Sequence, residues 1–206
     1  MPRVNFNYWA LHYLNLWLSK DHEFCEALDG NDEVAKLRAL TGAAAFYRVA
    51  RNLPKAHDVD EDILRYKPVL DVIDALDPKT FQGAQLIPLI ESVHSQISQR
   101  YGGRRVMSLT TKFLWLKMKS PIIIYDSQAR KALGTKPGDI PAYYSRWREQ
   151  FNSAYGEINA ACALLPGVRE YSVSADVPTP QYIEQIASQP WFKERVFDVY
   201  LWTLGS

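Results

Sequence analysis

Apolar residues recur at helical spacing along almost the whole chain, and that periodicity confines the fold to the all-α class. Trp9, Tyr13, Leu14 and Trp17 form one stripe of a helix over residues 5–18, and Val34, Leu37, Leu40, Ala44 and Tyr47 line a helix over residues 32–51. The spacing of the first stripe makes it core rather than a base-stacking platform. Only residues 122–125 and 171–173 look strand-like, and both runs are short. Between the helices the breakers stand where they should. Asp21 is placed to cap a short helix that Gly30 ends, and Asn52-Leu53-Pro54 breaks the next. A helix over 63–76 carries a kink at Pro68, and another over 84–101 stops at Gly102-Gly103. Helices are then expected over 109–119, 127–133, 139–163, 181–187 and 191–204, with a turn at Pro166-Gly167 and loop over 172–180. With 206 residues the chain can bury a substantial core, so the expected architecture is one compact all-α domain over residues 1–206.

Charge is distributed unevenly. The net charge of +1 gives no overall pull towards a polyanion. Yet residues 21–77 hold thirteen carboxylates against seven Lys and Arg, whereas residues 92–125 hold Arg100, Arg104, Arg105, Lys112, Lys117 and Lys119 with no acid at all. One face of such a chain can attract phosphate while another repels it. The acidic loop over 57–62 lacks the glycine and distal glutamate of an EF-hand loop and reads as a helix start. Four histidines show no His-x3-His pair, and His22 with Cys25 is too small a set for zinc, so no metal is expected. Two cysteines make no disulfide framework, no apolar run reaches the roughly 18 residues a bilayer requires, and nothing resembles a secretory signal. A cytoplasmic monomer without a membrane partner or cofactor is the expectation.

Chemistry concentrates in the acid-free stretch. Ser108 is a candidate N-cap for the helix over 109–119, which puts Lys112 in its first turn, where the positive end of the helix dipole favours a neutral, attacking amine. The helix beyond Lys112 rises about 10 Å at about 1.5 Å per residue. Six residues of extended chain from Ser120 span about 19 Å, so the chain can double back and set Asp126 beside Lys112. Asp126 is itself a strong N-cap for the helix over 127–133. An amine and a carboxylate so related suit chemistry at a glycosidic carbon. The carboxylate stabilises the oxocarbenium ion at C1′, while the amine attacks C1′ and forms a Schiff base with the opened sugar.

Ser108-Leu109-Thr110-Thr111-Lys112 resembles the Gly-hydrophobic-Gly-x-Lys hairpin of the helix-hairpin-helix DNA glycosylases. Ile124-Tyr125-Asp126 before a helix resembles that family's catalytic aspartate segment, most closely in the 8-oxoguanine branch, over about residues 40–204. The resemblance implies a helix-hairpin-helix glycosylase-like fold and a bifunctional DNA N-glycosylase/AP lyase that excises a modified base, with oxidised bases among its substrates. It makes Lys112 the nucleophile and Asp126 the supporting carboxylate. It gives DNA, as duplex or exposed modified nucleotide, as the partner, with Arg104, Arg105, Ser108, Thr110 and Thr111 at its phosphates. Some compact members sit in bacterial phage-defence clusters, so the role is repair or antiviral defence. Ser108 and Thr110 stand where the family carries glycines, and two cysteines exclude a four-cysteine iron–sulfur cluster. The rival expectation is a non-catalytic nucleic-acid-binding or partner-binding protein of the same fold.

Overall fold

A computed structural model describes residues 5–174 and 177–206, and the chain is all-helical, with no strand among them. Of the loop expected over 172–180, residues 175 and 176 lie outside the described residues. Side-chain oxygens start many of the helices. Asn5 accepts from the Asn7 amide at 3.0 Å ahead of α1 (Phe6–Leu16), and Asp32 from Val34 at 2.9 Å ahead of α3 (Glu33–Phe46). Asp58 accepts from Glu61 at 2.8 Å ahead of α4 (Val59–Leu64). Each such cap satisfies an amide that the first turn leaves without a partner. Between α1 and α3 lies α2 (His22–Asp29), joined to α1 by a π-helical turn, Trp17–Asp21.

The chain gathers into two compact units, Asp21–Ile124 and a discontinuous one made of Met1–Lys20 with Tyr125–Ser206. In the first, α2 packs on α3, and α5 (Lys67–Asp74) and α6 (Leu86–Arg100) pack on each other and on α7 (Met107–Met118). Leu28, Leu40, Ile73, Ile90, Phe113 and Trp115 are the centre of that core. Gly42 lets α3 approach α2 closely, because a Cβ there would lie 3.0 Å from the Phe24 ring. Lys36 and Lys117 both reach Asp74, at 2.5 and 3.3 Å, and Lys117 also donates to the Leu28 carbonyl at 2.8 Å.

In the second unit α1 lies on α9 (Ile140–Ala163) and α11 (Pro190–Leu204), while α8 (Ser127–Ala132) packs chiefly on α11 and α10 (Pro180–Ser188) on α9. Its core is aromatic: Tyr13 meets Phe192 at 4.9 Å between ring centroids, and Trp147 meets Phe151 at 4.9 Å and Phe197 at 5.2 Å. Beyond α11, Gly205 lies so close to α8 that a Cβ would come within 1.9 Å of the Gln128 carbonyl oxygen. No helix among the described residues is long and apolar enough to cross a membrane.

Four expectations change. Asp21 makes no capping bond and is fully buried in the π turn. The helix expected over 63–76 is divided at Arg65 and Tyr66 into α4 and α5, since Pro68 is compatible only with a first turn. Residues 122–125 are irregular, with Ile122, Ile123 and Ile124 buried, because β-branched residues alone cannot make a strand without a partner ladder. Tyr171 ends a 3-10 segment, Leu165–Tyr171, rather than opening a strand.

Candidate functional site

Lys112 lies on α7, a helix buried all round. Every side chain from residue 109 to 116 is buried, Lys112 itself being 5% exposed. Such a helix belongs to a core and shows no amphipathic stripe. It starts at Met107, two residues earlier than a Ser108 cap would require, with buried Val106 at its N-cap position and no side-chain cap. Ser108 therefore sits within the first turn, where its Oγ accepts a hydrogen bond from Lys112 Nζ at 2.9 Å. Lys112 falls in the second turn, where the helix dipole contributes little to its reactivity, since that field fades within the first turn. On another side the Tyr47 ring centroid stands 5.7 Å from Nζ, and the Tyr47 hydroxyl donates to Asp21 Oδ1 at 2.5 Å.

The hairpin assignment fails locally. Residues 108–112 are helix, and the Thr110 amide is spent on the Val106 carbonyl at 2.8 Å. Thr110 and Thr111 are fully buried; Thr111 Oγ1 donates to the Met107 carbonyl at 3.1 Å, and Thr110 Oγ1 has no hydrogen-bond partner. Neither threonine presents a donor to a phosphate. Arg104 and Arg105 are exposed after the Gly102-Gly103 turn, with Arg100 exposed before it. The Ser98 hydroxyl donates to the Arg104 carbonyl at 2.8 Å and ties that turn to α6. The fully exposed basic residues of this segment are thus three arginines, with Lys119 half-buried, while Lys112 and Lys117 turn inward.

Asp126 belongs to the other unit, where it caps α8 as expected, accepting from the Gln128 amide at 2.9 Å. It lies near a buried carboxyl that sequence reasoning missed. Asp198 on α11 accepts from Trp147 Nε1 at 2.7 Å and from Arg195 Nη1 at 3.2 Å. Burial pushes the Asp198 carboxyl up to about 6, against the pull of the Arg195 charge and both hydrogen bonds, and the charge of Asp126 adds to the rise. Burial likewise holds the Tyr143 phenol well above its ordinary range, assisted by the Asp198 charge, while a backbone hydrogen bond from Asp126 opposes the shift. The i,i+3 pair Arg195 and Asp198 was visible in the sequence as a helix pair; nothing there showed it would be buried.

Among the described residues no three His, Cys, Asp or Glu side chains gather as a metal site. No family model matches the chain, and neither a curated protein nor a solved structure matches it.

Proposed function

We propose that the protein is a DNA N-glycosylase/AP lyase-like enzyme that excises a modified base. The observation that carries this reading is Lys112, a buried amine on α7 whose Nζ donates to the Ser108 hydroxyl and lies over the Tyr47 ring. Lysines are almost never buried without a reason, and a retained, oriented amine is what Schiff-base chemistry requires. In the proposed reaction the N-glycosidic bond breaks and the base leaves with its electron pair, taking up a proton. Lys112 Nζ forms the new bond at C1′, and the resemblance gives the support of the positive charge developing there to Asp126. Ring opening gives the Schiff base, and β-elimination then breaks the C3′–O bond of the strand. Arg104 and Arg105 would hold phosphates, and a base in a duplex would have to be extruded first.

The test is borohydride trapping on oligonucleotides carrying 8-oxoguanine, an abasic site or other modified bases. A covalent adduct is expected with the wild type and none with Lys112→Ala, and absence of an adduct from the wild type on every substrate sinks the enzyme reading. One observation favours a second reading, a nucleic-acid-binding protein without catalysis: α7 replaces the glycine hairpin while Arg100, Arg104 and Arg105 remain exposed. Salt-dependent DNA binding with no adduct would select it.

A further inference from the structure

Two helix ends of the Asp21–Ile124 unit bring Asp21 and Tyr47 towards Lys112, residues that the proposed reaction does not use. Asp21 opens α2 at the end of a π-helical turn, a distortion found often at functional sites. Its carboxylate is fully buried, which is costly without a hydrogen-bond donor, and the Tyr47 hydroxyl supplies one at 2.5 Å. Tyr47 closes α3, its amide bonded to the Ala43 carbonyl at 2.8 Å, and Arg48 follows in a left-handed conformation with φ of 55°. The ring is therefore fixed at both ends, by the turn of the backbone and by Asp21. Its centroid lies 5.7 Å from Lys112 Nζ, inside the range of a cation–π contact, while Ser108 Oγ holds the same nitrogen at 2.9 Å.

From this arrangement we infer that Asp21 and Tyr47 are positioning residues for Lys112: Asp21 fixes the Tyr47 ring through its hydroxyl, and the ring together with Ser108 confines the amine to one rotamer. This rests on the reading of Lys112 as nucleophile. A lysine side chain loses roughly 2 kcal/mol of rotamer entropy when it is ordered, and an enzyme that has already ordered it spares the reaction that cost. Were Tyr47 mere packing, its ring would suffice and its hydroxyl would be dispensable. The hydroxyl is the discriminating atom.

Two measurements on the full chain test the inference. In the first, the native protein is acetylated with an amine-reactive ester and the labelling rate of each lysine is read by peptide mass spectrometry. Wild-type Lys112 is expected to react far more slowly than the exposed Lys55 and Lys79. Tyr47→Phe removes a hydrogen bond to a charged group and is expected to raise Lys112 labelling about tenfold, with Lys55 unchanged. Asp21→Leu should do the same, whereas Asp21→Asn, which keeps an oxygen acceptor, should preserve the protection. Unfolding midpoints within a few degrees of wild type certify that the variants are folded. Labelling of Lys112 at the wild-type rate in a folded Tyr47→Phe protein overturns the inference, as does wild-type Lys112 reacting as fast as Lys55. In the second measurement, Tyr47→Phe should slow single-turnover borohydride trapping about tenfold with DNA affinity unchanged, a split that a general loss of structure would not produce. An absent wild-type adduct would remove the glycosylase reading, and the labelling rates would still decide whether Asp21 and Tyr47 position the amine.

Discussion

Helices α7 and α11 both bury charge, and on α11 part of it is paired within the helix itself. On α11, Lys193, Glu194, Arg195 and Asp198 are all within 9% exposure. Each faces a counterpart. Arg195 pairs with Asp198 and lies 5.2 Å from the Tyr13 ring centroid, Glu194 stands 3.7 Å from Arg148, and Lys193 lies over Tyr155 at 5.7 Å. On α7 the buried ammonium of Lys112 is met by a hydroxyl and an aromatic ring. Opposite charges that neutralise each other within the core are what a structural network requires, because a buried ion left alone is strongly destabilising. Ser108 and Tyr47 order the Lys112 side chain, and experiment can separate its role from that of the Arg195–Asp198 pair.

The largest expected effect comes from breaking the scaffold. Arg195→Met should destabilise the protein by about 3–5 kcal/mol at pH 7, read by urea unfolding, because Asp198 would be left buried without its guanidinium. A loss below about 1 kcal/mol would mean that Trp147 alone satisfies Asp198, and the network reading of α11 would fall.

Asp198 also predicts a pH dependence of known sign. Its folded carboxyl titrates near 6, raised from 3.8 mainly by burial. The folded state therefore binds the proton more tightly than the unfolded one, so the stability linked to this proton is complete below pH 4. It is lost as pH rises through 6. Over about two pH units at about 1.4 kcal/mol each, wild type should lose roughly 3 kcal/mol relative to Asp198→Asn. Urea titrations at pH 4, 5, 6 and 7 check it; parallel curves for the two proteins would show that Asp198 does not titrate in this range.

How much of this could be read in advance follows from what each signal reports. Cap residues act on amides two or three positions away, so Asp126 declared its helix from sequence alone, and Asn5, Asp32, Asp58 and Asp139 cap theirs by the same local bond. Ser108 misled because a cap oxygen and a side-chain acceptor look alike in sequence, and Lys112, four residues on, claimed it. Asp21 read as a cap for the same local reason, and its true setting left no signal: a π turn has no periodic signature, and Tyr47, its partner, is 26 residues away. The buried setting of Lys112 was hidden for the opposite reason. A helix apolar on every side offers no contrast between faces, so a lysine within it reads as solvated until its neighbours in space are known.

The smallest expected effect is the sharpest test of the comparison. Lys112→Met keeps the length and apolar stem of the side chain and deletes the charge. It gives up the hydrogen bond to Ser108, a contribution of about 1.5–3 kcal/mol for a charged donor, and it relieves the desolvation of a buried ammonium, which is of similar size. The two terms oppose, so Lys112→Met should cost less stability than Arg195→Met, measured by the same urea titration. Trapping activity should nevertheless vanish. If Lys112→Met instead costs as much as Arg195→Met, the α7 lysine is part of the scaffold in the same sense as the α11 charges, and the division between the two helices disappears. A stable, inactive Lys112→Met protein would mean that the chain keeps this charge for a purpose other than holding itself together.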